Sequence, residues 1–316
     1  MTPMNFSIII PTYNRADSLA QTLDSLAGVN LPAGCSAEVL VIDNNSRDQT
    51  ARVVAERAGR MPYALRHVLE TRQGSNFARN RGIAEASGSH LIFTDDDVAL
   101  DPAWLCDYAE AFARHPGAAC LTGRVIPRFL AARPAWLTDN LLCYYGEQDF
   151  GDAAAPVLYP KYPVEMNIAF ARETLEHFGG FSTAINRDAK TLMSNDGMIF
   201  FERLARAGAT VLYLPGALIY HLIPGERIDQ RWILRRVYWQ GRSDVGVGQM
   251  LAPPSKLKLV GEALAAAWRA FQGMRGGHLL PRRAYWHYRG QAVDLKCEQW
   301  YELGLARQKF HSVFGF

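Results

Sequence analysis

Short apolar runs alternate with amphipathic segments along the first third of the chain. Four β-branched or leucine-rich runs have the length of strands buried within a sheet, at residues 6–10, 38–42, 65–69 and 89–94. Between them, residues 15–26, 50–58 and 76–86 carry apolar side chains at helical spacing. Asp17 or Ser18 is the expected cap of the first helix. This alternation predicts an α/β fold, in which helices cover both faces of a mostly parallel sheet.

The remaining pattern predicts further strands at residues 119–126, 209–214 and 217–221 and a helix at 196–207. Residues 127–162 are expected to form an irregular excursion. Pro253-Pro254 has the composition of a linker, and two amphipathic helices follow it. We therefore expect one α/β domain at residues 1–250 and a basic, helical C-terminal extension at residues 251–316.

The composition of the chain is that of a globular protein. Its 316 residues are 49% hydrophobic and 21% charged. The five cysteines are scattered and lack C-x-x-C spacing, which argues against a disulfide framework or a zinc site. No apolar run reaches the roughly 18 residues needed to span a bilayer, and no signal-peptide pattern is present. These features predict a cytoplasmic protein.

Charge is distributed unevenly along the chain. The formal net charge is only +3, which gives no general case for nucleic-acid binding. Residues 251–316, however, contain ten Lys or Arg against four Asp or Glu. The basic part of the protein is therefore its C-terminal extension.

Three consecutive aspartates, Asp95, Asp96 and Asp97, follow the fourth predicted strand. Hard cations such as Mg²⁺ and Mn²⁺ prefer oxygen ligands and often also hold substrate phosphates. If the strand continued, Asp95 and Asp97 would share one face, as in a D-x-D metal–diphosphate site, and Asp96 would point to the other. The alternative is an acidic, solvated turn.

Other polar residues also follow predicted strands. Pro11, Thr12 and Tyr13 come after the first strand, and Asp43 and Asn44 come after the second. Ligands of open α/β sheets bind beyond the carboxyl ends of the strands. We therefore expect these residues and the aspartate triplet to converge on one edge.

Six blocks between residues 6 and 245 together resemble family 2 glycosyltransferases, which are inverting nucleotide-sugar enzymes with a GT-A fold. The blocks are S-I-I-I-P-T-Y-N at 7–14, V-I-D-N-N-S at 41–46, G-S-N-F-A-R-N-R-G at 74–82, F-T-D-D-D at 93–97, N-I-A-F at 167–170 with G-G-F at 179–181, and Asn195-Asp196. Each block alone is a weak signal. Their shared order and spacing make the resemblance specific.

The resemblance implies a nucleotide pocket. Asp43 would accept the N3–H of uracil or thymine, with an Asx-turn as the alternative role of its carboxylate. Arg79 would contact the diphosphate or the nucleoside, for which a guanidinium fork is suited. Arg81 is the weaker candidate and could be a solvated helix charge. The residues expected to line the same pocket are Pro11, Thr12, Tyr13, Asn14 and Asn44.

The resemblance also implies Mn²⁺ or Mg²⁺. Asp97 is the first expected ligand, and Asp95 the second, directly or through the ribose or a metal-bound water. Asp96 would point away or serve the donor sugar. His221, at the end of a predicted strand, resembles a third ligand, although a histidine in this position can equally be structural.

Asp196 is the expected catalytic base. Inverting transfer needs a carboxylate that takes the proton of the attacking hydroxyl while a metal holds the departing diphosphate. Asp196 could also cap the following helix, and the two roles are compatible. Two positions depart from the family pattern: Asn195, where a glutamate is usual, and Glu165, where a small residue is usual. Glu165 could contact a sugar hydroxyl in the loop that, with Asn167 and Asn195, shapes the donor and acceptor pockets.

Basic and aromatic residues near the C-terminus leave two questions open. Arg227, Arg231 and Arg235 could form a solvated basic surface or a clamp for the donor diphosphate or an anionic acceptor. The C-terminal helices could pack as a hairpin on the catalytic domain or contact an anionic membrane surface peripherally.

The sequence thus predicts a bacterial-type, hexosyl-transferring glycosyltransferase in the cytoplasm or on the cytoplasmic face of the inner membrane. It would move one sugar from a UDP- or dTDP-sugar to a glycan or lipid-linked acceptor in cell-envelope polysaccharide or glycoconjugate synthesis. The rivals are a nucleotidyltransferase of similar fold and a non-catalytic nucleotide-sugar-binding module. Nucleotidyltransferases usually carry a glycine-rich loop after the first strand, and residues 11–14 are not glycine-rich.

Overall fold

A computed structural model describes residues 4–158, 161–184, 192–195, 197–275 and 290–315. Internal contacts divide the chain into two compact units. Unit 1 comprises Met1–Arg128, Gly146–Ala184 and Gly197–Leu222, and unit 2 comprises Phe129–Tyr145, Ile185–Asp196 and Ile223–Phe316. This division differs from the expected boundary at residue 250, because the helix Gln230–Leu251 packs with the helix Gly290–Phe314.

Within the described residues, one sheet contains nine strands: β1 (Asn5–Thr12), β2 (Ser36–Asp43), β3 (Ala64–Leu69), β4 (His90–Thr94), β5 (Val98–Leu100), β6 (Cys120–Phe129), β7 (Ala155–Pro156), β8 (Asn167–Ala171) and β9 (Val211–Ile223). The order is β3-β2-β1-β4-β8-β6-β9-β5, and β7 pairs with β9. β1 to β4 pair in parallel, with Ile8 opposite both Val39 and Ile92. β8 enters antiparallel to β4. The parallel half follows the prediction, and the sheet as a whole is mixed.

Two apolar layers cover the faces of this sheet because alternate strand residues point to opposite sides. On one side, Ile8, Ile10 and Val41 pack with α1 (Ala16–Leu26), α2 (Thr50–Ala58) and α4 (Trp104–Arg114). On the other side, Ile9 and Phe93 pack with α3 (Ser75–Glu85), α5 (Arg172–Phe178) and α6 (Met198–Arg206). Helices on both faces are therefore confirmed.

Unit 2 is built mainly from three helices, α7 (Gln230–Leu251), α8 (Lys256–Arg275) and α9 (Gly290–Phe314). Its core includes Ile233 and Val237 of α7 and Val293 of α9, together with Leu141 from a 3₁₀ turn at Asp139–Tyr145. α7 and α9 approach closely at glycines: a Cβ on Gly304 would lie 2.1 Å from the carbonyl oxygen of Tyr238.

Several elements differ from the sequence prediction. β9 is one continuous strand, where two were expected. α4, β5 and β8 were not predicted, and α7 entered the prediction only through its basic residues Arg231 and Arg235. α1 begins at Ala16, and neither Asp17 nor Ser18 caps it, because the N–H of Ala16 donates to Asp48 Oδ2 (2.9 Å) from the loop after β2. None of the described helices is both long and apolar enough to cross a bilayer.

Candidate active site

The carboxyl ends of the parallel strands bring the predicted motifs together within unit 1. Thr12 and Asp43 are paired across β1 and β2, and β4 lies on the other side of β1. Thr12 is buried, and its hydroxyl donates to Asp96 Oδ2 at 2.7 Å. Pro11 and Tyr13, on either side of it, are partly exposed. The first motif and the aspartate triplet therefore belong to one site.

The triplet itself does not continue the strand. β4 ends at Thr94, and a bend at Asp96 and Asp97 connects it to β5. The predicted alternation, with Asp95 and Asp97 on one face and Asp96 on the other, is therefore wrong. Asp96 and Asp97 are both buried, at 3% and 2% exposure, whereas Asp95 is partly exposed.

Arg15 joins the two buried carboxylates, and the sequence analysis did not identify it. Its Nη1 lies 2.6 Å from Asp96 Oδ1, and its Nη2 lies 2.6 Å from Asp97 Oδ2. One guanidinium thus spans two adjacent aspartates, as its forked geometry allows. The sequence feature that could have identified Arg15 is its position, directly after the P-T-Y-N block and before α1.

Burial and charge oppose each other in this cluster. Burial raises the pKa of Asp96 to about 7, and the like charge of Asp97 acts in the same direction, while Arg15 opposes the shift. Burial disfavours the charge of Arg15, but Asp96 and Asp97 outweigh this effect and raise the pKa of its guanidinium. Two buried adjacent carboxylates are therefore held together here by the positive charge of Arg15.

The donor set next to Asp97 fits a hard divalent ion. His221 pairs with Val98 across β9 and β5, and its Nε2 lies 3.2 Å from Asp97 Oδ2. Both side chains are buried. Across the residues that the structure describes, no three His, Cys, Asp or Glu side chains are grouped closely enough to hold a metal ion. The expected set with Asp95 is thus not assembled, but Mg²⁺ commonly takes one or two protein ligands and completes its shell with phosphates and water.

Asp43 takes part in two interactions at the end of β2. Its Oδ1 accepts the N–H of Ser46 at 2.8 Å, so the alternative turn-forming role is present. Its Oδ2 lies 3.0 Å from His67 Nε2, on the neighbouring strand β3. His67 was not identified from the sequence. These two contacts, one at each carboxylate oxygen, hold the buried Asp43 side chain in place at the end of β2.

Asn44 and Asn14 organise loops around this edge. Asn44 Nδ2 donates to the carbonyl oxygens of Glu70 and Arg72, and its Oδ1 accepts the N–H of Gly74. Asn14, in the left-handed conformation with φ 51°, accepts the N–H of Arg47 through Oδ1. Asn44 and Asn14, both predicted to contact the nucleotide, therefore form hydrogen bonds that fix the loops at this end of the sheet.

Arg79 lies on α3, buried at 7% exposure. Its Nη1 donates to Asn76 Oδ1 at 2.9 Å, and its guanidinium lies 5.6 Å from the ring centre of Phe181. Arg81, two residues on, forms an ion pair with Glu85 on the more exposed side of the helix. Of these two arginines of α3, Arg79 is therefore buried and Arg81 is exposed.

Asn167 is not in a loop but is the first residue of β8, and it is fully buried. Its Oδ1 accepts from Trp104 Nε1 (2.8 Å) and from the hydroxyl of Tyr108 (2.9 Å). Its Nδ2 donates to the carbonyl oxygens of Arg124 and Ala217. These four bonds use the full capacity of the amide, so it has none left for a sugar.

The expected base, Asp196, lies outside the described residues. Within unit 1, Glu165 Oε1 accepts the N–H of the following residue, Gly197, at 2.8 Å. Within unit 2, the preceding residue, Asn195, has φ 65° and donates through Nδ2 to Asp244 of α7. Glu165 is therefore bonded to the residue that follows Asp196 in sequence, and Asn195, the residue that precedes it, is bonded to α7.

The three arginines proposed as a clamp belong to unit 2. Arg227 lies in the 3₁₀ turn Gly225–Arg227, with its guanidinium 6.0 Å from the ring centre of Trp232. Arg231 and Arg235 are exposed on α7, one turn apart. Two of the three arginines, Arg231 and Arg235, therefore lie on one exposed side of α7.

Comparisons with known proteins agree with this fold. The family model described as glycosyl transferase family 2 matches residues 7–186. A glucosyl-dolichyl phosphate glucuronosyltransferase of Haloferax volcanii is 24% identical over 246 residues, covering 76% of each chain. Mannosyltransferase PcManGT from Pyrobaculum calidifontis, solved with GDP-Man and Mn²⁺, superposes with TM-score 0.65 at 20% identity, over 99% of this chain and 88% of that one.

A second solved structure, S. aureus TarS 1–349 in complex with UDP, superposes with TM-score 0.55 at 18% identity. The alignment covers 98% of this chain and 92% of TarS 1–349. These structural similarities establish the GT-A fold. Since the family model also spans more than half of the chain, the protein belongs to glycosyl transferase family 2 and is a glycosyltransferase.

Proposed function

We propose that the protein is an inverting, metal-dependent glycosyltransferase that moves one sugar from a UDP- or dTDP-sugar. The observation that carries this proposal is the buried pair Asp96 and Asp97, placed with His221 at the sheet edge where Thr12 and Asp43 end their strands. Two buried adjacent carboxylates are costly unless positive charge compensates them, and a divalent ion beside Arg15 would supply it when a donor is bound. The solved GT-A structure with GDP-Man and Mn²⁺ supports metal use of this kind.

Asp97 and His221 would hold Mn²⁺ or Mg²⁺, and a bound ion would supply positive charge for the departing diphosphate. Thr12 holds Asp96 in place through its hydroxyl. Asp43, kept at the edge by its turn, would accept the N3–H of uracil or thymine. Arg79 would contribute positive charge to the enclosed nucleotide.

Asp196 would take the proton of the acceptor hydroxyl as that oxygen attacks the anomeric carbon. The bond between the anomeric carbon and the diphosphate breaks at the opposite face, so the configuration inverts. Asp196→Asn should retain Mn²⁺-dependent donor binding and lose transfer by about 10²-fold or more. Near-normal turnover of this variant, with donor affinity unchanged, would remove Asp196 from the mechanism.

The donor base is tested by a thermal-shift screen of UDP-, dTDP- and GDP-sugars with and without Mn²⁺. The relatives differ in nucleotide, since the solved complexes contain UDP and GDP-Man. Our proposal requires a larger shift with uracil or thymine nucleotides than with GDP-mannose, and little shift without metal. Asp43→Asn should weaken binding of the uracil and thymine nucleotides, because a charged carboxylate accepts the N3–H more strongly than a neutral amide oxygen does.

Two rival functions predict different products. A nucleotidyltransferase of similar fold would consume a nucleoside triphosphate and release pyrophosphate, whereas a glycosyltransferase releases nucleoside diphosphate from a nucleotide-sugar. A non-catalytic binding module would release neither. Chromatography of nucleotide products after incubation with each substrate separates the three possibilities.

A lipid-linked or membrane-associated glycan acceptor is the second part of the proposal. One relative is named as a glucuronosyltransferase that acts on glucosyl-dolichyl phosphate. On α8, Leu257, Leu264, Trp268 and Phe271 are 84%, 57%, 53% and 45% exposed and recur at helical spacing. An exposed apolar stripe on a basic helix is typical of helices that lie in a membrane interface. We propose peripheral binding of the cytoplasmic membrane face through this stripe.

Vesicle co-sedimentation tests the membrane proposal. With vesicles rich in anionic lipid, Trp268→Ser should reduce the bound fraction several-fold, and added salt should reduce it further. Leu130→Ser is the matched control, because Leu130 is also exposed, at 53%, but lies outside the stripe. Equal binding of the wild type and Trp268→Ser would exclude the stripe as the contact.

A further inference from the structure

Arg15 has an unusual relationship to its two acidic partners. Its side chain is 31% exposed, whereas the side chains of Asp96 and Asp97 are 4% and 3% exposed. In the comparable pair of Arg57 with Asp24, the arginine is 20% exposed and the carboxylate 63% exposed. Arg15 therefore reaches inward from the surface and supplies a cation to carboxylates that solvent does not reach.

The guanidinium occupies an oxygen that a metal ion would need. Asp97 Oδ2 accepts from Arg15 Nη2 at 2.6 Å and lies 3.2 Å from His221 Nε2. A metal ion bound by Asp97 and His221 would sit against the same carboxylate oxygen. Two cations at one oxygen repel each other strongly in a buried site. A metal ion at Asp97 Oδ2 and the observed Arg15 contact would therefore compete for the same oxygen.

The main chain around Arg15 is held in place. Asn14, before it, is fixed in the left-handed conformation by its bonds to Ser46 and Arg47. Ala16, after it, donates its N–H to Asp48. Removal of the guanidinium from the carboxylates thus requires rotation of the long Arg15 side chain, and the loop does not have to rearrange.

We propose that Arg15 is the resident counter-cation of the metal-free site and is displaced when a divalent ion binds. This inference rests on the proposed metal use. Metal alone must compete with Arg15, whereas a nucleoside diphosphate brings further oxygens to the metal and offers the displaced guanidinium an anionic partner. Arg15 therefore couples metal binding to donor binding.

The test is a titration of the protein with Mn²⁺ at pH 8, in which the electron paramagnetic resonance signal of the free ion is monitored. Without nucleotide, Arg15→Met should bind Mn²⁺ at least about tenfold more tightly than the wild type, because hydrogen bonds to charged groups shift binding constants by about one to two powers of ten. With UDP present, this advantage should shrink or reverse. Without metal, the melting temperature of Arg15→Met should be lower than that of the wild type. Mn²⁺ should raise the melting temperature of Arg15→Met more than it raises that of the wild type.

Two further variants keep the result interpretable. Arg57→Met removes a two-pronged arginine–carboxylate pair of unit 1 that does not involve the triplet, and it should leave Mn²⁺ affinity unchanged. Arg15→Lys keeps a charge but cannot span both carboxylates, so its affinity should fall between wild type and Arg15→Met. If Arg15→Met does not fold, Arg15→Lys must still bind Mn²⁺ more tightly than the wild type.

Two outcomes would overturn the inference and have different meanings. Equal or weaker nucleotide-free Mn²⁺ binding by the Arg15 variants, with normal Mn²⁺–UDP binding by the wild type, removes Arg15 as a competitor and leaves the metal proposal intact. Absence of Mn²⁺ binding by every variant, even with UDP, removes the metal proposal and the competition together.

Discussion

Replacement of Asn167 by alanine should destabilise unit 1 strongly, because its amide joins three elements of the interior. The side chain accepts from Trp104 and Tyr108 of α4 and donates to carbonyl oxygens on β6 and β9. It is fully buried, so water cannot replace it without opening the core. Asn167→Ala leaves these four groups without their partner.

The cost follows from these four bonds. A net contribution of about 1 kcal/mol per hydrogen bond gives a loss of at least about 4 kcal/mol, and buried groups left unsatisfied add to it. For a folding unit of roughly 200 residues, each kcal/mol lowers the melting temperature by about 2–4 °C. The melting temperature of Asn167→Ala should therefore fall by about 8–16 °C.

Tyr108→Phe is the graded control for this measurement. It removes one hydroxyl, while Asn167 Oδ1 keeps its bond from Trp104 and the main-chain oxygen of Asn167 keeps its bond from Thr122. We expect a loss of about 1 kcal/mol, or about 2–4 °C. Differential scanning fluorimetry and urea titration measure both variants. A melting temperature of Asn167→Ala within about 2 °C of wild type, together with a raised donor KM, would refute the interior role and restore Asn167 to the sugar-binding loop.

Three further predictions concern unit 2, acid stability and metal. Gly304→Ala should cost about 1–3 kcal/mol in urea unfolding, since its Cβ would lie 2.1 Å from the Tyr238 oxygen, whereas Gly261→Ala, with open space around it, should be neutral or stabilising. Burial opposes ionisation of Glu38, but hydrogen bonds from two serines outweigh this effect and lower the pKa of its carboxyl below 4.5. The free energy of unfolding of the wild type should therefore exceed that of Glu38→Gln by the full amount above about pH 5, and this difference should disappear as the pH falls through the lowered pKa. EDTA should abolish sugar transfer and excess Mn²⁺ should restore it, and full transfer in EDTA would contradict the metal requirement.

The parallel half of the sheet was predictable because local sequence determines it. Strands buried on both faces need continuous apolar runs, and β1, β2 and β4 have them. α4 and β8 were missed, although both are buried. The role of Asn167 in β8 depends on Trp104 and Tyr108, about 60 positions earlier in the chain. Such pairings are tertiary contacts that no local pattern contains.

The candidate site was predictable as a location but only partly as a geometry. The strand ends placed Thr12, Asp43 and the aspartates together, as the α/β topology requires. The alternation argument failed because β4 ends at Thr94 and the chain then bends. Arg15 was missed because its two partners lie 81 and 82 positions away, and nothing near it in sequence distinguishes an inward-facing arginine from a solvated one.

The central claim is that Asp97 holds a divalent ion that binds the donor diphosphate. Isothermal titration calorimetry of UDP into the protein, with and without Mn²⁺, tests it most directly. Wild type should bind UDP tightly only with Mn²⁺, and Asp97→Asn should lose that dependence, while Asp24→Asn, at an exposed ion pair, should retain it. Mn²⁺-dependent UDP binding by Asp97→Asn at wild-type affinity would contradict the account.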